Sequence, residues 1–79
     1  MKTEDAIEWL ERRKFLVLEG GRRVEIWSFQ HEKLMDAIYL TVRKDLQWSY
    51  DDDRKALILK TKDLTVEFHE KGWFTVDLS

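Results

Sequence analysis

The sequence predicts one compact α+β domain over residues 1–79, with the order helix, β-hairpin, helix and four-stranded antiparallel meander. Three observations support this fold class. An amphipathic stretch opens the chain, a Gly-Gly pair separates two apolar runs, and the second half alternates apolar and polar residues with a period of two. We expect helices to cover one face of the sheet and the other face to meet water.

The first helix is predicted over residues 3–14. Thr3 is a candidate N-cap, acidic residues follow in the first turn, and basic residues occupy the last turn, as the helix dipole favours. Ala6, Ile7 and Leu10 share one face of this helix. We expect that face to pack on the sheet.

A β-hairpin is predicted over residues 14–29. Its turn is assigned to Gly20 and Gly21, because a two-residue turn needs positive φ, which glycine adopts at no steric cost. This turn sets Val17 opposite Val24 on one apolar face. Leu18 points to the other face, so we expect the hairpin to be covered on both sides.

The segment 30–45 has two interpretations. Leu34, Ile38 and Val42 recur at i, i+4 and i+8, which is typical of one face of a helix. Residues 37–42 are also rich in strand-forming residues, which indicates a strand. We favour the helix. The alternative is a mostly β fold with one N-terminal helix.

The second half of the chain predicts a four-stranded meander. A three-residue loop at 70–72 pairs Phe68 with Phe74, so that apolar side chains face one another. Turns at 62–63 and within 51–54 continue the same alternation. The predicted apolar face consists of Leu46, Trp48, Tyr50, Leu57, Leu59, Leu64, Val66, Phe68, Phe74, Val76 and Leu78.

Three consecutive aspartates, Asp51, Asp52 and Asp53, lie at the predicted tip of a hairpin in which Trp48 faces Leu57. Aspartate favours turns because its side chain hydrogen-bonds to nearby backbone groups. A Ca²⁺ loop spaces its carboxylates by one residue, and this run does not. We therefore predict a turn. A weak Ca²⁺ or Mg²⁺ site formed by the three aspartates is the alternative.

His69 and Trp73 are candidate binding residues. The predicted register makes them cross-strand neighbours on the exposed face of the meander. A surface tryptophan can anchor a partner protein. The alternative is a purely structural aromatic pair that stabilises the hairpin.

Arg12, Arg13, Arg22 and Arg23 form a candidate nucleic-acid site if the first helix ends near the glycine turn. Glutamates are interleaved with these arginines, and the sequence pI is about 5.6. A nucleic-acid binder usually shows a cleaner positive surface and a basic pI. We therefore expect a solvated, salt-bridged surface. Nucleic-acid binding through the four arginines is the second, less favoured alternative.

The order of elements around residues 18–29 resembles that of the Sm-like proteins, in which a helix precedes bent strands and a glycine-containing turn. The spacing from Val24 to Phe29 and on to Met35 does not fit the first motif of that family. No family is therefore assigned, and no RNA-binding function is carried over.

Composition and motifs exclude several classes of activity. No run approaches the roughly 18 apolar residues of a membrane span, and the chain has no cysteine. His31 and His69, the two histidines, lack metal-binding spacing, and no serine lies in a G-x-S-x-G turn. We expect no catalysis, no cofactor and no small-molecule substrate.

The remaining hypothesis is a small, stable interaction or scaffold domain in the cytoplasm. Its partner is an unidentified protein or a second copy of the chain, because exposed strand edges favour homodimers. The absence of asparagine and cysteine fits a thermostable protein, and the absence of cysteine and proline fits a designed chain. A designed or orphan protein without a function is therefore a further interpretation.

Overall fold

The computed structural model describes residues 1–30, 33–41 and 46–78. Within these ranges one helix precedes seven antiparallel strands in two sheets. The elements are α1 (Thr3–Arg12), β1 (Leu16–Gly20), β2 (Arg23–Gln30), β3 (Lys33–Thr41), β4 (Gln47–Asp51), β5 (Ala56–Lys60), β6 (Leu64–His69) and β7 (Phe74–Leu78). The sheets have the orders β1-β2-β3 and β4-β5-β6-β7. The fold is therefore mostly β with one N-terminal helix, which was the alternative prediction.

The first turn of α1 differs from the prediction. Lys2 is the N-cap residue and makes no side-chain cap hydrogen bond, and Thr3 is already helical. The prediction that Thr3 caps the helix is therefore wrong. Its hydroxyl accepts a hydrogen bond from Trp48 Nε1 at 3.2 Å instead, which ties the start of α1 to β4.

The C-terminus of α1 lies at Arg12, two residues before the predicted end. Lys14 has φ 68°, and the Phe15 N–H donates to the Leu10 carbonyl at 3.1 Å. This six-to-one bond is that of a Schellman motif, in which a left-handed residue stops the helix. Ala6 and Leu10 are buried, as the predicted helix face requires.

The β1–β2 turn consists of Gly21 and Arg22, one residue later than predicted. Val17 therefore faces Ile26, not Val24. Gly21, the first turn residue, has φ 59°, which a type II′ turn requires at that position. Because the pairing shifts by two residues, every side chain keeps its predicted face.

The outer face of the first sheet is not covered by any described residue. Leu18 and Tyr39 are exposed there, so the prediction of cover on both sides is wrong. The rings of Trp27 and Tyr39 meet edge to face at 6.3 Å. Trp27 Nε1 also donates to Glu25 at 3.3 Å, so this face has its own side-chain contacts.

The predicted second helix is a strand. Residues 33–41 form β3, which pairs with β2 and sets Ile38 opposite Ile26 and Leu40 opposite Val24. All four of these side chains are buried. The alternating residues Ile38 and Leu40 therefore favour the strand over the helix, since each is buried beside its partner in β2. His31 and residues 42–45 lie outside the described ranges.

The second sheet contains the predicted meander. Phe68 faces Phe74, as the three-residue loop requires. Trp48 faces Leu59 where Leu57 was predicted, so the β4–β5 pairing is also shifted by two residues. The inner face again stays the same, because an even shift preserves the alternation.

One core joins α1 with the inner faces of both sheets. Phe68 lies at its centre, with ring centroids 5.5 Å from Phe15, 6.2 Å from Trp48 and 5.7 Å from Phe74. The buried core residues are Ala6, Leu10, Phe15, Val24, Ile26, Ile38, Leu40, Trp48, Leu57, Leu59, Val66 and Phe68.

The cover of the second sheet ends within β7, since Phe74 still packs against the core. Val76 is 41% exposed and Leu78 is 83% exposed, although both belong to the predicted apolar face. The prediction that helices cover this face is not confirmed, since α1 and the first sheet share the buried part of it. Among the described residues, no helix has the length and apolar character of a membrane span.

Candidate functional site

The three aspartates lie at the tip of the β4–β5 hairpin. Asp51 pairs with Ala56, which leaves residues 52–55 as the loop. Asp51 Oδ1 accepts hydrogen bonds from the backbone N–H groups of Asp53, at 3.0 Å, and Arg54, at 3.1 Å. One carboxylate oxygen therefore organises the turn, as short polar side chains commonly do.

The surroundings of this loop contain one well-formed ion pair. Arg54 Nη1 donates to Glu67 Oε2 at 2.8 Å. The pKa of Arg54 is raised, first by this hydrogen bond and then by the charge of Glu67, with a smaller effect of Asp51. In the part of the chain that the structure describes, no three His, Cys, Asp or Glu side chains are grouped to hold a metal ion.

The four arginines are divided between two ends of the molecule. The Arg13 carbonyl lies beside the Phe29 carbonyl, since both are within 4 Å of where a Cβ on Gly72 would stand. Arg23 lies at the opposite end of β2, six residues from Phe29, or about 20 Å at 3.4 Å per residue. Arg22 precedes it in the turn. The two arginine pairs therefore do not form one surface.

Three of these arginines have partners of their own. Arg12 forms an ion pair with Glu8 one helical turn earlier. The Arg13 guanidinium lies 4.1 Å from the ring centroid of Trp9. Arg23 lies 4.9 Å from the ring centroid of Tyr39 and 3.8 Å from Glu25. These contacts stabilise the surface within the chain.

His69 and Trp73 stack at the end of the β6–β7 hairpin. Their ring centroids are 4.5 Å apart and their planes differ by 9°. The His69 N–H donates to the Trp73 carbonyl at 2.8 Å, and the Gly72 N–H donates to the His69 carbonyl at 2.9 Å. Trp73 is nevertheless 49% exposed, so its ring is held in place while much of it faces solvent.

A cleft of about 450 Å³ lies beside Trp73, where the β6–β7 tip meets the β2–β3 end of the first sheet. We call it the Trp73 cleft. The described residues that line it are Ser28, Phe29, Asp36, Lys71, Gly72, Trp73 and Phe74.

One wall of the Trp73 cleft contains a β-bulge. Ser28 pairs with Asp36 whereas Phe29 pairs with Leu34, so β3 has one extra residue at Met35. Ser28 is buried, and its hydroxyl donates to the Asp36 carbonyl at 3.5 Å. A bulge bends its strand and redirects side chains, and such bulges are frequent next to binding sites.

Gly72 brings the opposite wall into place. It has φ 100°, and a Cβ there would lie 3.5 Å from the Arg13 carbonyl and 3.8 Å from the Phe29 carbonyl. The hairpin tip therefore rests against the end of α1 and the end of β2. A side chain at this position would be strained by the backbone conformation.

The lining of the cleft combines aromatic walls with two opposite charges. Phe29, Trp73 and Phe74 supply the apolar surface. Asp36 and Lys71, both exposed, supply one negative and one positive group. Such a site can hold an apolar side chain and orient the polar groups on either side of it.

Sequence reasoning identified His69 and Trp73 but missed the rest of the cleft. Phe29 was predicted in the first hairpin and Asp36 in a helix, and no local pattern connects either of them with residues 71–74. The β-bulge in β3 was not predicted either, because no sequence pattern used in the prediction marks its position.

Comparison with models of known protein families, with curated proteins and with solved structures gives no match. The function therefore has to be inferred from the site itself.

Proposed function

We propose that the chain is a small, non-catalytic interaction domain that binds an extended segment of a partner protein at the Trp73 cleft. One observation carries this proposal. Trp73 is 49% exposed, yet stacking on His69 at 4.5 Å holds its ring at the edge of the cleft. A large aromatic side chain that is already ordered can bury much area while losing little conformational entropy.

The lining of the cleft defines the chemistry of the partner segment. An apolar or aromatic side chain fits between Phe29, Trp73 and Phe74. Asp36 favours a cationic residue on one side of that anchor, and Lys71 favours an anionic residue on the other. The volume of about 450 Å³ is within the range of about 300–1,000 Å³ that is usual for ligand clefts.

A selection from a random dodecapeptide library displayed on phage tests this proposal. We expect enriched peptides to contain an aromatic or large aliphatic residue with a basic residue on one side and an acidic residue on the other. Failure to enrich any peptide, or enrichment without this pattern, would contradict the proposal.

Two variants then locate the binding surface. Trp73→Ser should weaken the binding of an enriched peptide at least about tenfold, as expected for an aromatic anchor. Tyr39→Ser is a matched control, because Tyr39 is 51% exposed and lies on the outer face of the other sheet. It should change the affinity by less than about twofold. Equal losses in the two variants would mean that the peptide binds elsewhere.

A further inference from the structure

The strand β7 is an open edge of the second sheet. Among the described strands it pairs with β6 alone. Val76 faces Val66, which is fully buried, yet Val76 itself is 41% exposed. From Val76 onward, the inner side of β7 therefore extends beyond the elements that cover its neighbours.

The other edge of the same sheet is occupied. The α-amino group of Met1 donates to the carbonyl of Trp48 in β4 at 3.3 Å. The ring of Trp9 in α1 lies 5.8 Å from that of Tyr50, also in β4. The N-terminal part of the chain thus protects β4, whereas no described residue does the same for β7.

The backbone groups of β7 alternate between the two sides of the strand. His69 and Trp73 form a hydrogen-bonded pair, and such pairs recur at every second position of an antiparallel ladder. The backbone N–H and C=O groups of Thr75 and Asp77 therefore point towards β6. The residues whose N–H and C=O groups point to the free edge are Phe74, Val76 and Leu78.

We propose that β7 pairs antiparallel with β7 of a second copy, about a two-fold axis at Val76. This pairing joins the two four-stranded sheets into one sheet of eight strands. The strand reads Phe-Thr-Val-Asp-Leu, which is apolar, polar, apolar, polar, apolar, and therefore symmetric about its centre. A two-fold interface brings the same surface together twice, so it needs such a self-complementary pattern.

The side chains match in this register. Val76 meets Val76 of the second copy, and Phe74 meets Leu78 of the second copy, on the inner side. On the outer side Thr75 meets Asp77 of the second copy, where the hydroxyl can donate to the carboxylate. The exposed apolar side chains of β7 then contact one another beside the axis, and its free backbone groups are satisfied.

Neighbouring registers are less favourable. An axis at Asp77 would set two carboxylates opposite one another, which is destabilising in a cross-strand pair. An axis at Thr75 would leave Leu78 without an apolar partner. A shift by one residue would set Phe74 against Asp77 and mix the apolar and polar sides.

A strand pair of five residues is a small interface, so we expect a reversible dimer, not a permanent one. Sedimentation equilibrium of the wild-type chain, from micromolar to about 1 mM protein, should show a monomer–dimer equilibrium. A monomer over this whole range would overturn the proposal.

Two lysine substitutions test the register. Val76→Lys sets two cations opposite one another at the axis and should raise the dimer dissociation constant at least about tenfold. Thr75→Lys sets a cation opposite Asp77 of the second copy and should leave the constant unchanged or lower it. If both variants weaken the dimer equally, β7 does not pair in this register.

Amide hydrogen exchange of the wild-type chain gives an answer that needs no variant. The Val76 N–H should exchange more slowly as the protein concentration rises, because it becomes hydrogen-bonded in the dimer. A rate independent of concentration in a sample that dimerises would place the interface elsewhere. This test follows Val76, which does not line the Trp73 cleft, so its outcome is read separately from peptide binding there.

Discussion

The indole Nε1 of Trp48 donates to the hydroxyl of Thr3 at 3.2 Å, across 45 residues of sequence. This hydrogen bond joins β4 to the first residue of α1. At the other end of the helix, Phe15 meets Phe68 edge to face at 5.5 Å. Contacts at its start and just beyond its end therefore fix α1 to the second sheet. The β6–β7 tip lies against the end of the helix, where Gly72 is close to the Arg13 carbonyl.

Removing the Thr3 hydroxyl should destabilise the fold. Thr3→Val keeps the side-chain shape but leaves the N–H of buried Trp48 without its acceptor, which costs about 1–3 kcal/mol. Thr3→Ser keeps the hydroxyl and should cost much less. Urea unfolding followed by circular dichroism measures both. A Thr3→Val variant as stable as the wild type would mean that this bond contributes nothing.

Replacing Lys14 by glycine should stabilise the protein. A non-glycine residue in the left-handed region costs about 1–2 kcal/mol, whereas glycine loses about 0.5–1 kcal/mol more conformational entropy on folding. We expect Lys14→Gly to raise the free energy of unfolding by about 0.5–1 kcal/mol. Lys14→Ala, the control, should give no such gain. Thermal unfolding compares the two, and a loss of stability in Lys14→Gly would exclude the left-handed helix end.

Asp51 should matter more for stability than its neighbours. Asp51→Ala removes the acceptor of two backbone N–H groups and should cost about 1 kcal/mol. Asp52→Ala should stay within about 0.5 kcal/mol of the wild type. Chemical unfolding distinguishes the two substitutions, and equal losses would show that the loop charge, not the turn bond, is responsible.

Calcium should leave the loop unchanged. An ¹H–¹⁵N titration with up to millimolar Ca²⁺ should not move the amide signals of Asp51, Asp52 and Asp53, since the Asp51 carboxylate is already used by the turn. Saturable shifts at these three residues, lost in Asp52→Asn, would instead support the cation site. The same titration shows whether the chain forms a single folded state.

Nucleic acid should not bind at the arginines. Arg12 pairs with Glu8 and Arg23 lies 3.8 Å from Glu25, so acidic side chains interrupt the positive charge at both arginine pairs. Fluorescence anisotropy with a labelled 20-nucleotide RNA should show no binding that falls steeply with salt. RNA binding that weakens steeply with salt, and that is lost when Arg12 and Arg22 are both replaced by alanine, would contradict this expectation.

The faces of the strands could be predicted from the sequence, although the registers of two hairpins could not. Val17 faces Ile26 and Trp48 faces Leu59, each two residues from its predicted partner. An even shift leaves the alternation intact, so burial alone cannot distinguish these registers. The turn geometry decides between them, and it depends on backbone angles such as φ 59° at Gly21.

The strand β3 was mispredicted because its apolar spacing fits two structures. Leu34, Ile38 and Val42 are four residues apart, which is nearly one helical turn and also an even number. Such positions share a face in a helix and in a strand alike. Pairing with β2 decides in favour of the strand, and that pairing is not visible in the segment itself.

Only the part of the Trp73 cleft formed by the β6–β7 hairpin could be predicted from the sequence. Trp73 and its stacking partner follow from the three-residue loop, which local sequence specifies. Phe29 and Asp36 reach the cleft through a bulge in the other sheet and through packing of the two sheets. Contacts of this kind depend on tertiary structure and leave no local pattern.

Mapping the binding surface by NMR tests most directly whether the Trp73 cleft is the interaction site. An enriched peptide is added to ¹⁵N-labelled protein, and amide shift changes are measured along the chain. We expect the largest changes at Phe29, Asp36, Gly72 and Trp73, including the indole N–H signal of Trp73. Changes that concentrate around Tyr39 on the outer face of the first sheet would contradict the proposed function.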